Sequence, residues 1–302
     1  MNKMDKKKME TLIEKAHVLI EALPYIRTFS GKTFVIKYGG QAMVSDELKH
    51  AVAQDIILLK YIGINPIVVH GGGKEINSLL ERLGIDTRFV GGLRVTDQET
   101  MELVEMVLVG KINKEVVNLL NRHGGKAVGL SGKDSDLLVA RKRPPAQAMI
   151  DGTEHFVDLG FVGDVTDINA SVIDTLSKNN YIPVIAPVAV SPEGYGLNIN
   201  ADHVAGELAS ALKAEKLILL TDVEGILRVP EQPESLVSSV TRQQARDMII
   251  SGEISSGMIP KVEACIRALN SGVSRTHIID GRLSHSMLLE IFTDTGIGTM
   301  VE

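Results

Sequence analysis

From about residue 32 onward the chain alternates short β-branched runs with helical ones, and few architectures accept that rhythm. Strand candidates are 33–38 (TFVIKY), 65–70 (NPIVVH), 126–131 (KAVGLS), 181–189 (YIPVIAPVA), 216–222 (KLILLTD) and 276–280 (THIID). Between most of them lie helical stretches: 46–62, 75–83, 98–123, 169–179, 201–212, 241–251, 261–271 and 285–292. Near-continuous apolar strands are buried on both faces, and helices supply the crossovers between parallel neighbours. The pattern therefore predicts an α/β fold with a mainly parallel central sheet. About residues 141–165 read differently, with paired prolines and short strands between turns, which predicts a β-hairpin region laid over that sheet. A second strand-helix series opens near Lys216, placing a boundary at about residue 213. The expected division is 1–30, 31–213 and 214–302.

The N-terminus starts with a basic cluster, MNKMDKKK, but Glu10, Glu14, Lys15, His17 and Glu21 interrupt any apolar run suited to secretion or membrane spanning. Met9, Leu12, Ile13, Ala16, Leu19, Ile20 and Leu23 recur at helical spacing instead, an amphipathic helix perturbed near Pro24. Its apolar face needs a cover, either its own domain or another subunit. A net charge of −6 argues against nucleic acid and membrane surfaces as partners, and 4% aromatics without Trp give no base-stacking platform. The one cysteine, Cys265, excludes an internal disulfide and suits a reduced, cytoplasmic setting; in KVEACIRAL it reads as a small buried hydrophobe.

Two glycine turns each follow an apolar strand directly. One gives Lys37, Gly39 and Gly40; the other gives Gly71, Gly72 and Gly73. Glycines at a strand's carboxyl end let backbone N–H groups approach an anion, and a following helix N-terminus favours negative charge. Lys74 follows glycine but precedes Glu75 rather than Ser or Thr, so this is no Walker A loop, and no G-x-G-x-x-G occurs. The alternative is that the glycines only make tight turns. Arg94 in GGLRVTD suits a bidentate clamp on a carboxylate. Asn198, Asn200 and Asp202 alternate into a helix and suit a small polar ligand, or one of them caps that helix. Lys261 stands near a helix start and, taken alone, reads as a surface residue.

Together, IKYGG, VVHGGGKEI, GLRVTD, VLVGKINKEVVNLLNRHGGKAVGLSGKD, LNINADHVAGELA, LLTDVEGIL and GMIPKVEAC resemble the amino acid kinase family, in the branch that acts on N-acetyl-L-glutamate. The resemblance implies a three-layer sandwich in two lobes. Its activity would be transfer of phosphate from ATP, with Mg²⁺ held by the nucleotide phosphates and no metal site on the protein, to the side-chain carboxylate of N-acetyl-L-glutamate in arginine biosynthesis. Lys37 and Lys261 match the two transition-state lysines, and Asp202 the acid that holds them. Gly72, Gly73, Arg94, Asn198 and Asn200 match substrate positions. Gly39 and Gly40 with Asp222, Val223, Glu224, Gly225, Ile226 and Leu227, and Glu253, Ile254, Ser255, Gly257 and Met258, match the phosphate and nucleotide site. The pattern departs at ILRVPEQPESL, where the family often has Asp after Arg. His70 reads as structural. A non-catalytic sensor of arginine or an acylated amino acid, and another kinase such as one for free glutamate, are the alternatives.

The two ends resemble the arginine-sensitive, hexameric type. The N-terminal helix, about residues 5–27, and LLEIFTDTGIGTMVE match its signatures, with Glu290 meeting a cationic group of L-arginine and Gly296, Gly298 and Thr299 offering backbone contacts. Tyr25, Lys216 and His277 match further positions around that site. The implied assembly is a trimer of dimers. A PII-type signal protein is a further partner of such enzymes, although no motif here points to one.

Overall fold

The computed structural model describes the 302-residue chain except residues 1–2, 44, 151–152, 230–231, 255–256 and 294. Helix α1 (Lys3–Phe29) leads into β1 (Thr33–Tyr38), α2 (Asp46–Tyr61), β2 (Asn65–His70) and α3 (Gly73–Leu83). A hairpin of β3 (Phe89–Val90) and β4 (Leu93–Arg94) follows, then α4 (Gln98–Glu105), a π-helical stretch Met106–Ile112, α5 (Asn113–Arg122) and β5 (Ala127–Ser131). The middle of the chain holds β6 (Leu138–Lys142), β7 (Ala146–Ile150), β8 (Thr153–Val157), β9 (Gly163–Ile168), α6 (Ser171–Lys178), β10 (Ile182–Ala186), β11 (Val188–Val190) and β12 (Gly196–Asn198). The rest is α7 (Ala201–Ala211), β13 (Lys216–Thr221), β14 (Ser239–Val240), α8 (Arg242–Ile250), α9 (Ile259–Asn270), β15 (Arg275–Asp280), α10 (Ser286–Ile291) and β16 (Thr299–Val301).

One eight-stranded sheet, in the order β14-β16-β15-β13-β1-β2-β10-β5, runs through the molecule, parallel except where β15 meets β16. Successive residues of a strand feed opposite sides of it. Val35, Ile67, Val69, Ile185, Leu217 and Leu219 join a core with Val204 and Leu208 of α7 and Val262 and Cys265 of α9. Phe34, Ile36, Val68, Val184, Ile218 and Leu220 join a second core with Val52, Ile56 and Leu59 of α2. Helices therefore cover both faces. The expected hairpin region, about 141–165, holds the β7–β8 hairpin between β6 and β9, which pair with each other in a four-stranded sheet ordered β12-β11-β6-β9.

Two expectations are corrected. The strand read as 181–189 is two, β10 and β11, because Pro187 lies between them without an N–H for the ladder. The helix read as 98–123 passes through the π-helical stretch, which holds Gly110, a poor helix former. Helix α1, expected at about residues 5–27, holds Pro24 inside it and ends at Phe29, and Thr28 Oγ1 donates to the Pro24 carbonyl at 2.9 Å. Phe29 anchors it on Phe34, edge to face at 5.3 Å, while Leu12, Leu19, Ile20 and Leu23 remain at least half exposed. No helix among the described residues is long and apolar enough to cross a membrane.

Candidate active site

The two glycine turns are adjacent because β1 and β2 are parallel neighbours, Lys37 opposite Val69 and Tyr38 opposite His70. The Gly71 N–H donates to the Tyr38 carbonyl at 2.8 Å, which ties the turns together. Helix α3 starts at Gly73, so N–H groups of its first turn, which have no intrahelical partners, lie at the same edge of the sheet.

Helix α7 begins beside them, and Asn200 is its N-cap: the side-chain oxygen accepts from the N–H groups of Asp202 at 2.8 Å and His203 at 3.2 Å. The Asp202 carboxylate is thereby released from capping. It is buried, with Lys37 Nζ 3.1 Å from Oδ1 and Lys261 Nζ 2.9 Å from Oδ2. Helices α7 and α9 come close enough for this because residue 206 is glycine. A Cβ there would sit 3.1 Å from the Ala264 carbonyl oxygen. Asp202 and Lys261 stand about one turn before Gly206 and Ala264, so that close approach sets the ion pair. Burial opposes ionisation of Asp202, but the Lys37 and Lys261 charges outweigh it and hold the carboxyl well below the usual carboxylate range.

Arg94 enters from the β3–β4 hairpin, paired with Phe89, its guanidinium 4.7 Å above that ring. Nη2 donates to Asn77 Oδ1 at 2.5 Å and to the Gly73 carbonyl at 3.3 Å, whereas Nη1 is buried with no protein acceptor. A fork anchored on one prong and open on the other suits a ligand carboxylate. Asn198 donates to Thr96 Oγ1 at 3.3 Å, and that hydroxyl donates to the Arg94 carbonyl at 2.9 Å. Asn77 and Thr96 thus orient the binding groups. Neither was singled out in the sequence; Thr96 lay inside GLRVTD, whereas Asn77 carries no signature.

These residues line a cavity of about 250 Å³ that includes Lys37, Gly39, Gly40, Gly72, Gly73, Arg94, Asn198, Asn200 and Asp202. A second cavity, about 280 Å³, is lined by Lys37, Gly40, Thr221, Asp222, Val223, Gly257, Met258 and Lys261. Lys37 and Gly40 border both. Glu224, Gly225, Ile226, Leu227, Glu253 and Ile254, also expected at the nucleotide, are not among its lining. Glu224 is gripped by Arg282 Nη2 at 2.6 Å. The Ile226 N–H donates to Thr299 Oγ1 at 2.8 Å, and a Cβ at Gly225 would crowd the same hydroxyl. Leu227 bridges to Leu236, Ile254 is in the core, and Glu253 accepts from Ser251 Oγ at 2.9 Å. Ser255 lies outside the described residues. Among the described residues no three His, Cys, Asp or Glu side chains converge as metal ligands.

The residues expected to meet arginine come together at the opposite edge of the sheet. Lys216 Nζ lies 2.8 Å from His277 Nε2, and His277 Nδ1 lies 2.6 Å from Glu290 Oε1. Glu290 Oε2 accepts from the N–H groups of Ile297 at 2.7 Å and Gly298 at 3.1 Å. Burial lowers the His277 pKa, so a neutral ring with its proton on Nδ1 accepts from the lysine and donates to the carboxylate. Burial also pushes Lys216 down to about 8, helped by Arg275. Lys216 stands 5.2 Å from the Phe29 ring centre, and Tyr25 packs edge to face on Phe292 at 6.2 Å, so α1 closes this side.

A model of the amino acid kinase family matches residues 32–280. The chain is 60% identical over 289 residues to the protein named acetylglutamate kinase of Heliobacterium modesticaldum, covering 96% of this chain and 98% of that one. It is 59% identical over 294 residues to the protein of the same name of Pelotomaculum thermopropionicum, covering 97% and 100%. Its structure resembles N-acetylglutamate synthase from Neisseria gonorrhoeae complexed with coenzyme A and L-arginine, with a TM-score of 0.78 and 26% identity, over 95% of this chain but only 65% of that longer one. Carbamate kinase from Giardia lamblia bound to AMP-PNP shares the fold, with a TM-score of 0.63 at 17% identity, over 90% of this chain and 98% of that one.

Proposed function

This chain belongs to the amino acid kinase family, and on that premise we propose that it transfers the γ-phosphoryl group of ATP to the side-chain carboxylate of N-acetyl-L-glutamate. The observation that carries the proposal is the pair of lysines held by Asp202 where two cavities meet. The nucleophile, a carboxylate of pKa about 4.3, is ionised at neutral pH and needs no general base. What an anion attacking a polyanion needs is alignment and charge cancellation. Lys37 and Lys261 supply positive charge from either side of Asp202, and the glycine N–H groups supply donors for the phosphoryl oxygens. The open Nη1 of Arg94 receives the α-carboxylate in the first cavity, while 214–302 carries the nucleotide in the second. Two ammonium groups against one carboxylate suit a polyphosphate that brings its own Mg²⁺, whose chemistry is neutralising the β- and γ-phosphate charge.

The test is an assay of acyl phosphate formation, trapped with hydroxylamine, from ATP, Mg²⁺ and either N-acetyl-L-glutamate or free L-glutamate. Preference for the free amino acid, or turnover with neither, sinks the reading.

We further propose that L-arginine inhibits the enzyme at the Lys216–His277–Glu290 cluster, and that exposed apolar residues of α1 join dimers into a hexamer in a cytoplasmic setting. Oε1 of Glu290 accepts from His277 and Oε2 from the 297 and 298 amides, so a guanidinium taking Oε2 competes with the amides of that turn. Binding is thereby coupled to movement of that turn. Deleting residues 1–27 should give active dimers insensitive to arginine. A full-length dimer that ignores arginine at about 1 mM, the weak end of specific binding, defeats this part.

A further inference from the structure

His70 and Asn113 are fully buried, and nothing in the chemistry above uses them. His70 ends β2, immediately before the Gly71–Gly73 turn. Its Nδ1 lies 2.8 Å from the Gly71 carbonyl oxygen and its Nε2 lies 3.3 Å from Asn113 Nδ2. The Asn113 amide nitrogen also donates to the Val184 carbonyl at 2.9 Å and faces the Leu130 carbonyl at 3.4 Å, while Oδ1 accepts from Lys114 Nζ at 3.1 Å. Those carbonyls and that ammonium fix which way round the amide stands. An amide nitrogen only donates, so Nε2 of His70 must accept, and the ring proton must sit on Nδ1, where it donates to Gly71. Burial keeps the imidazole neutral, its pKa pushed down to about 4, with the Lys114 charge acting in the same direction.

The consequence falls on the next peptide. No described peptide bond is cis, and in a trans unit C=O and N–H point in opposite directions. Pinning the Gly71 carbonyl to His70 therefore aims the Gly72 N–H away from His70, and Gly72 lines the cavity at the lysines. Gly72 is held from another side too, since a Cβ on it would run into Ile112 Cδ1 and Leu108 Cδ2. Leu108, Ile112 and Asn113 all come from the π-helical stretch or its exit. Widened turns of this kind recur at functional sites.

We propose that His70 and Asn113 are positioning residues, which with the π-helical turn lock the Gly71–Gly72 peptide so that the Gly72 N–H meets the transferring phosphoryl oxygens. The inference rests on the kinase reading and adds to it a named donor and the device that aims it.

Two variants at position 70 separate positioning from packing. His70→Asn puts an amide N–H where Nδ1 was and keeps a donor for Gly71. His70→Gln reaches to where Nε2 was, fills more of the space, and offers Gly71 none. Stability should follow volume, with His70→Gln the more stable of the two. Turnover should follow the donor: His70→Asn keeps the larger kcat, and His70→Gln loses on the order of tenfold, part of what deleting an oxyanion donor costs, with little change in KM for ATP. A kcat that tracks thermal stability, or His70→Gln the faster, overturns the proposal. If neither variant folds, long-range ¹H–¹⁵N correlation of the wild-type ring decides. A protonated Nδ1 and bare Nε2 from about pH 5.5 to about 8 is expected, and the opposite tautomer overturns the proposal. That spectrum needs no substrate, so an enzyme that phosphorylates neither acid sinks the kinase reading while the ring geometry is still tested.

Discussion

Two buried clusters of lysine and carboxylate lie at opposite edges of one sheet, and their charge balance differs. At the carboxyl edge one acid, Asp202, faces two ammonium groups, and the surplus positive charge borders two cavities. At the other edge Lys216 and Glu290 are joined through a neutral His277, two backbone amides complete the carboxylate, and Phe29 covers the lysine. The first cluster is left unbalanced for an anion to complete; the second completes itself. The same residue types thus make an open cluster in one place and a self-paired joint in the other, according to which partners the fold withholds.

The contrast breaks most readily at the lysines. Lys261→Ala or Lys37→Ala should lower kcat by at least ~10²-fold in steady-state assays, since each acts on charge that develops during transfer. Lys216→Met, the matching cut in the other cluster, should leave kcat within about threefold. Comparable losses in both would erase the distinction. Asp202→Asn should follow closely: activity falls strongly, while α7 keeps its start because Asn200 does the capping. Its pH signature has a definite sign. The Asp202 pKa is depressed in the folded state, so its stabilisation is present above the unfolded value near 4 and is lost as pH falls towards the folded value. Acid unfolding should therefore be shallower in Asp202→Asn.

A smaller effect sharpens the picture of the first cavity. Arg94→Lys should raise KM for N-acetyl-L-glutamate by about tenfold and change kcat less, since an ammonium cannot fork between Asn77 and a carboxylate. A rise confined to the KM for ATP would put Arg94 in the wrong cavity.

The parallel strands and their order of appearance were readable because each is an apolar run closed by glycine or polar residues. The break at Pro187 was also written in the chain, but continuous hydrophobicity across 181–189 masked it. The π-helical stretch was not readable, because 98–123 keeps helical spacing throughout and the widened turn answers to packing on Gly72. Within the site, Lys37, the glycines and Arg94 announced themselves by their strands and turns. Lys261 did not, since a lysine near a helix start is ordinarily solvated; it becomes distinctive only through the Gly206–Ala264 contact between two helices. The choice of Asn200 over Asp202 as cap likewise depends on where Lys37 and Lys261 stand.

The smallest effect tests whether the second cluster is a joint under tension. Lys216 is buried and its folded pKa is pushed down to about 8, against 10.5 when free. Below pH 8 both folded and unfolded chains carry the proton, so the burial penalty is present in full. Between about 8 and 10.5 the unfolded chain binds more protons than the folded one, and stability contributed by this residue must rise with pH. Over that window the swing is at most roughly 3–4 kcal/mol, the shift converted at about 1.4 kcal/mol per pH unit. Lys216→Met removes the titrating group but keeps a chain that packs near Phe29. Denaturant unfolding of both proteins at pH 7 and pH 10 isolates the cluster's contribution, because titrations elsewhere in the chain cancel in the difference. The variant's advantage should be largest at pH 7 and shrink at pH 10. A constant difference would mean that Lys216 keeps its proton throughout, held by Glu290 through His277, and the cluster would then be an ion pair in its own right.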